Sequence, residues 1–427
     1  MGWSCTTPTR NFVFSSILLL SLSSCTKAKI ATPDPKVLSV KSGNSIQEVI
    51  DAAIPGDMVL IEAGTYKGDI VVTTENITIR GEDRNNVIID GKFKQDNGII
   101  VAANGVRIEN LTVQAFKTNG ILVQGGYDSG ETSEKSSSDI VEKYVVQYVN
   151  ALNNGLYGIY AFSATDGNIS NTYTKANADA GIYIGQCKPC RALVYKNEAE
   201  LNGIGFQGAN ASEELYVFSN IFSNNRTGIH LLSETKETKS PQESVVVSAN
   251  LVSENNANGA PTTTPDLYGF GIIVAGGNDN LIEKNRADKN VQVGIILVEN
   301  GEFLPNGNSF KENEARENGV PFGFDLAYII TGRPDVMSLG NCFEGNSYSS
   351  SSIDEIESVL TCEGAAPGPF KSQPLKDFKV PAAPDYKSIA IETQTKENMS
   401  DPLDKLPGQL KSITKPDLST LVTPNAQ

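Results

Sequence analysis

At 427 residues the chain has the length of two or three ordinary domains, but a single solenoid can carry that length in one continuous core. It is Gly-rich and acidic, with a formal charge of -15 that becomes about -16 once Arg10, the one basic residue of the leader, is removed. A surface this anionic repels nucleic acid and anionic head groups, and no basic patch compensates, so nucleic acid is excluded as a partner.

Residues 1–24 read as a targeting segment. Arg10 precedes an apolar run over residues 12–22 that is too short to span a bilayer. The run ends in Leu22-Ser23-Ser24-Cys25, which resembles a bacterial lipobox. That resemblance implies a lipoprotein signal peptide, with Cys25 diacylated as the mature N-terminus and held at a membrane surface through acyl chains alone. The alternative is a plain signal peptide that ends near a Cys. Residue 26 is Thr where the common inner-membrane retention signal has Asp, which favours the outer membrane, on its periplasmic or surface face. Residues 25–36, with Pro33 and Pro35, read as a linker.

The folded body is expected over residues 37–345. Ser45 with Glu48 three residues later is a capping-box signal, and Ile46, Val49, Ile50 and Ala53 share one helical face. Such a helix would cover the open apolar end of a first coil. Pro55-Gly56-Asp57 then turns the chain into short apolar runs at 58–62, 70–72, 77–79 and 87–89, which read as strands.

From there the sequence repeats. Gly-Ile, or once Gly-Phe, recurs at Gly98, Gly120, Gly158, Gly181, Gly203, Gly228, Gly271, Gly294 and Gly323, with most gaps between 22 and 29 residues. A second series runs in phase: Asn110, Asn150, Asn171, Asn197, Asn220, Asn250, Asn285, Asn313 and Asn341. The period is too long for a hairpin and too short for a helical pair, but it suits one coil of a parallel β-solenoid. Coils stacked roughly 4.8 Å apart would turn a recurring corner Asn into a column of bonded amides. In Gly-Ile-Tyr-Ile, residues 181–184, both Ile then point inward and Tyr183 points outward.

The run SIQEVIDAAIPGDMVLIEAGTYKGDIVV, followed by ITIRGE, resembles the opening of right-handed parallel β-helix proteins of the pectate-lyase-like superfamily. The resemblance covers residues 37–345 and implies an all-β, right-handed parallel β-helix, here with an N-terminal capping helix and an extended C-terminal tail. It implies no single activity, because many activities share this opening. Mannuronan C5-epimerases of this fold carry Tyr-Gly-hydrophobic-Asp-Pro-His, whereas here Tyr157-Gly158-Ile159 continues as Tyr160-Ala161-Phe162. Their Asp and His are missing, so their site is not carried over. No tight group of outward Asp supports a pectate-lyase-type Ca2+ site, and no cofactor or metal is assigned. The periplasmic β-helix proteins that help mature nitrous oxide reductase are a further comparison, but one His and four Met offer few copper ligands.

With Cys5 in the leader and Cys25 reserved for lipid, Cys187, Cys190, Cys342 and Cys362 most economically form two disulfides in an exported protein. Cys342 and Cys362 flank the end of the repeats and would staple the last coil. Cys187-Lys188-Pro189-Cys190 reads as a local structural disulfide, with redox and metal roles as alternatives. Polar loops at 125–139, 233–244 and 254–266 either wall a groove or decorate the surface. Residues 346–363 read as a C-terminal cap, with Ser352 and Glu355 as a second capping signal and Ile353, Ile356, Val359 and Leu360 as its apolar face. Residues 364–427 are Pro-rich without a periodic face, a tail either disordered or laid along the solenoid.

The outward residue two after each Gly forms a column of Ile100, Leu122, Tyr160, Tyr183, Gly205, His230, Ile273, Ile296 and Asp325. Tyr160, Tyr183 and His230 are polar-tipped rings beside a gap at Gly205. Asp179 and Arg226 come two places before their Gly, and Gln186 and Gln207 just downstream. Flat rings stack on sugars and amides or carboxylates fix hydroxyls, so Tyr160, Asp179, Gln186 and Gln207 are candidate substrate-binding residues. Tyr183, Arg226 and His230 are candidate catalytic residues, of types able to act as acid, carboxylate neutraliser and base on a uronic acid. The expectation is a monomeric lipid-anchored protein that binds carbohydrate and in one reading processes it. A polysaccharide lyase or uronate epimerase is the first alternative, and a non-catalytic structural or adhesive surface rod the second.

Overall fold

The computed structural model describes residues 33–125, 140–236, 238–364, 366–391 and 395–426. The signal peptide, Cys25 and nearly all of loop 125–139 lie outside the described residues. The chain divides into units Met1–Asp34 and Pro35–Gln427, and the solenoid with its tail belongs to the second.

Short strands stack coil upon coil into two parallel sheets, one of twenty strands and one of ten among the described residues. The ten-stranded sheet starts at Ile70–Val72 and ends at Phe324–Ile329, and it includes Ile159–Phe162, Ala180–Cys187, Ile204–Ala211, Thr227–Leu232, Phe270–Ala275 and Val293–Val298. Along these strands the residues on either side of the column position, such as Ile182 and Ile184 around Tyr183 or Ile229 and Leu231 around His230, are fully buried in the inner core. One coil cannot bury such residues alone, so neighbouring coils supply the apolar surface that holds each in place.

The first coil is closed by the helix Ile46–Ala52. Ser45 caps it through its side chain, which accepts from the Glu48 backbone N–H, and Ile46, Ile50 and Ala53 are buried with Val49 packed beside them. At the other end the expected capping box does not form. The helix Ile356–Val359 is a single turn with Glu355 at its N-cap in left-handed backbone, while Ser352 Oγ accepts from the Tyr328 backbone N–H at 2.9 Å. Ile353, Ile356 and Leu360 are nonetheless buried against the inner core. The disulfides are Cys187–Cys190 and Cys342–Cys362, as the spacing predicts.

The Asn corner forms, but as three ladders rather than one. One passes through Asn197, Asn220, Asn250, Asn285, Asn313 and Asn346, each Nδ2 donating to the next Oδ1 at 2.8–3.0 Å. A second starts at Asn154 and passes through Asn177, Asn202, Asn225, Asn255, Asn290 and Asn318 to Asp325. A third joins Asn280, Asn308 and Asn341. Asn341 therefore leaves the predicted series. Asn110 and Asn150 bond elsewhere, to the Gly81 carbonyl and to Thr112 Oγ1, and Thr172 rather than Asn171 bonds to Asn197.

The glycine column also shifts at two points. A Cβ on Gly181 would come within 3.1 Å of the Gly205 carbonyl, one on Gly205 within 2.7 Å of Gly228, and one on Gly294 within 2.6 Å of Asp325. Gly205 and Asp325, not Gly203 and Gly323, stand in the column. The segment Gly203-Ile204-Gly205 offers two registers two residues apart, and only the close approach of coils selects between them.

The tail lies along the solenoid. Phe370–Lys371 pairs antiparallel with Asp335–Val336, and Lys376 N–H donates to the Phe322 carbonyl at 2.9 Å. The Phe378 ring packs on Tyr268 and Phe322. Farther on, the tail accepts from Arg226 at Pro381, from Asn153 at Ile389, from Arg84 at Glu397, from Arg80 at Pro402 and from Arg107 at Gly408. As far as Gly408 it runs against the coil order, from the last coils to the first, and Ile413 then turns back to donate its N–H to Asp166 Oδ1 at 2.7 Å. Beyond the Phe370–Lys371 pairing, these side chains meet carbonyls of the tail that no strand pairs.

Candidate functional site

The ten-stranded sheet sets the register of the candidate residues: Tyr160 lies beside Tyr183, Tyr183 beside Gln207, and Gln207 beside His230. Gln207, not Gly205, therefore stands between Tyr183 and His230, and the expected gap is filled. Beyond His230 the column continues through Ile273 and Ile296 to Ala327, not Asp325. Asp325 instead ends the second Asn ladder and accepts from the Ser349 and Ser350 backbone N–H groups.

At one end of this face the tyrosines pack on one another. Ring centroids are 4.8 Å apart for Tyr160 and Tyr183, and Tyr157 lies 4.6 and 4.7 Å from them. Tyr183 is buried, while Tyr157, Tyr160 and Phe162 keep part of their surface exposed. Asp179 is buried at the base of loop 254–266, where the Thr263 hydroxyl donates to Oδ2 and Oδ1 has no partner among the described residues. Burial pushes its carboxyl up to about 6, against the pull of the Thr263 hydrogen bond. Gln186 has a structural task, accepting from the Lys239 backbone N–H at 2.7 Å and so tying down loop 233–244.

Arg226 is fully buried. It donates to the carbonyls of Pro265 and Pro381, and its guanidinium sits 4.8 Å from the Tyr268 ring centroid. Desolvation lowers its pKa, partly offset by Tyr268. His230 is 8% exposed, its Nδ1 lacks a partner among the described residues, and burial lowers its pKa to about 4, so the ring is neutral at pH 7.

Tyr183, Arg226 and His230 do not converge. Tyr183 and His230 stand two strands apart, roughly 10 Å between backbones, and Arg226 lies just outside the strand Thr227–Leu232, four residues before His230. Groups that move one proton must reach the same substrate atom. Arg226 is moreover turned to the tail. No group of three or more His, Cys, Asp or Glu side chains among the described residues is placed to hold a metal ion.

The sequence did not reveal a cavity of about 790 Å3 on the same face, beginning at His230. Its floor is Leu232, Ile273, Ile296 and Ile329, and Phe270 and Leu375 close its side. The aliphatic floor residues are legible as outward positions. The walls are not, because residues 330–334 and the aperiodic tail supply them. Ser372 fixes that wall through its backbone N–H to the Pro334 carbonyl at 2.8 Å and its hydroxyl to the Tyr328 carbonyl at 2.7 Å.

Residues 84–264 match the family described as right handed beta helix region. The chain has the right-handed parallel β-helix fold. Among solved structures, the β-helix is similar to a mannuronan C-5 epimerase A-module from Azotobacter vinelandii, at 14% identity and a TM-score of 0.51, covering 72% of this chain and 83% of that one. It is also similar to the Dettilon tailspike protein, at 12% identity and a TM-score of 0.49, covering 74% of this chain and only 59% of the tailspike. A pectate lyase matches at 14% identity and a TM-score of 0.39, covering 77% of this chain and 82% of that one. These likenesses concern the fold. No curated protein matches the sequence.

Proposed function

We propose that this β-helix protein is a monomeric, lipid-anchored component of the cell envelope that binds carbohydrate on the outer face of its ten-stranded sheet. The observation that carries this reading is the in-register row Tyr160, Tyr183, Gln207 and His230, which leads from part-exposed aromatic rings into a walled cavity. Rings and amides in one row suit a ligand with apolar faces and hydroxyl edges. The mannuronan epimerase module has a similar fold, which makes a glycan a natural ligand class to test without transferring its chemistry.

Binding without turnover is favoured over a lyase or epimerase, because Tyr183, Arg226 and His230 are spread over the face and Arg226 is engaged by the tail. Attachment through Cys25 and outer-membrane placement rest on the lipobox-like leader. The full chain, expressed in a Gram-negative host, should incorporate radiolabelled palmitate and lose the label in Cys25→Ala.

Affinity electrophoresis in gels containing neutral or acidic polysaccharides tests the binding itself, with ultraviolet absorbance of unsaturated uronates followed in parallel, with and without calcium. Retardation without absorbance growth is expected, and Tyr160→Ala should weaken it. Absorbance growth that His230→Ala abolishes would establish a lyase instead. Silence in both assays would leave the structural-rod reading.

A further inference from the structure

We infer that the cavity beside His230 is a binding site for the aliphatic chain of an uncharged amphiphile, such as an alkyl glycoside or a neutral glycolipid. This goes beyond glycan binding and uses that reading only for its location on the same face.

Three observations point there. First, the floor and side are aliphatic or aromatic, and the volume of about 790 Å3 lies in the range of pockets that enclose small ligands. A sugar alone would desolvate its hydroxyls against Leu232, Ile273, Ile296 and Ile329 with nothing to replace the lost water.

Second, the cavity is built. Glu299 Oε1 accepts from the Thr331 backbone N–H at 2.7 Å, Asn300 Nδ2 donates to the Ser233 carbonyl at 2.7 Å, and Ser372 pins the tail on the opposite side. Its walls are turns and a strap.

Third, its polar groups select against an anion. Glu234, Asp266 and Glu299 line the cavity against one guanidinium, Arg333. A fatty-acid carboxylate would meet an excess of like charge, whereas hydroxyls can donate to carboxylates. The buried His230 Nδ1, without a partner among the described residues, is an unmet polar atom at the cavity edge that a ligand hydroxyl can satisfy.

The test uses the full chain and the neutral apolar dye N-phenyl-1-naphthylamine, displaced by hexyl, octyl and decyl glucoside, by decanoate and by free glucose, all below micellar concentrations. Saturable dye fluorescence is expected, with displacement strengthening about fourfold per added methylene until the cavity is full. Decanoate should be at least tenfold weaker than decyl glucoside, and glucose inert. Ile296→Glu places a charge on the floor, and Ala275→Phe fills the space without one. Both should abolish dye binding, while Leu193→Glu on the other sheet should not. Should Ile296→Glu fail to fold, Ala275→Phe still decides. No saturable signal from folded protein, an unchanged signal in Ala275→Phe, or decanoate outcompeting the glucoside would each overturn the inference. Polysaccharide retardation measured on the same variants separates its failure from that of the glycan reading.

Discussion

Arg226 donates a hydrogen bond to the carbonyl of Pro381 at 3.0 Å, joining two residues 155 positions apart. The contact places the tail beside the entry to the strand Thr227–Leu232, near where Phe378 stacks on Tyr268. The tail is thus part of the fold, and Arg226, read from the sequence as a catalytic candidate, is one of the residues that hold it.

Arg226→Ala should therefore lower stability by about 2 kcal/mol, because two carbonyls lose a donor. Cleavage by proteases within residues 379–391 should accelerate. Arg226→Lys should rescue little, since a point charge cannot both reach the carbonyls and lie on the Tyr268 ring. Ending the chain after residue 364 should have a larger effect, exposing the Ile296 and Ile329 floor. A lower melting temperature and self-association by light scattering are expected. Unchanged proteolysis of Arg226→Ala would show that the tail is held by other contacts.

Asp179 and His230 should pull stability in opposite directions over one pH range. The Asp179 carboxyl, near 3.9 when unfolded, titrates at about 6 in the fold. Between those values the native protein keeps a proton that the unfolded chain has released, so its stabilising contribution is full below pH 4 and lost as pH rises through 6. His230, near 6.5 unfolded, titrates at about 4 in the fold, so its contribution is full above pH 6.5 and lost as pH falls through 4. Each amounts to about 3 kcal/mol, and the two nearly cancel. Urea denaturation at pH 4 and pH 7 should find Asp179→Asn stabilised by about 3 kcal/mol only at pH 7, and His230→Gln by about as much only at pH 4. Equal effects at both pH values would show that neither group titrates as its burial requires.

What the sequence made legible follows from what its repeats control. Gly-Ile and Asn recur because each coil meets a copy of itself, so the solenoid, its inward Ile residues and the capping helix at Ser45 could all be read locally. Register at Gly203-Ile204-Gly205 could not, since both glycines fit the pattern and only contact with Gly228 decides between them. Asn341 stands in a different ladder from the rest of its series for the same reason: one coil has several corners, and the spacing alone does not say which corner an Asn occupies. The candidate site was half legible. Tyr160, Tyr183 and His230 do share one outer row, but Arg226 faces a tail whose course no periodicity records.

The Cys342–Cys362 bridge closes a separation of 20 residues around the last coil, so removing it should free the buried Ile353, Ile356 and Leu360 to leave the inner core. Replacing both Cys with Ser should cost about 3 kcal/mol. Hydrogen exchange should rise first in Cys342–Glu344, the strand nearest the bridge. The Cys187–Cys190 pair spans only 3 positions and restrains the unfolded chain less, so its double Ser variant should lose less. The reverse order of effects would mean that the bridge at 187 holds a coil and the one at 342 does not.

Asn225 is the position at which the second ladder can be cut most directly. Its Oδ1 accepts from the Asn202 backbone N–H and from Asn202 Nδ2, both at 3.0 Å, while its Nδ2 donates to Asn255 Oδ1 and to the Ala199 carbonyl. Asn225 is fully buried, and no water can replace these bonds. Asn225→Leu should therefore orphan several polar groups at once and cost on the order of 3–5 kcal/mol. Asn225→Asp should not rescue it, because a carboxylate can accept from Asn202 but cannot donate to Asn255. Asn224→Ala, one residue away on an exposed corner, serves as the control and should lose far less. Chemical denaturation of the three variants decides the matter: equal losses for Asn225→Leu and Asn224→Ala would mean that apolar stacking alone holds the coils and the amide column only accompanies it.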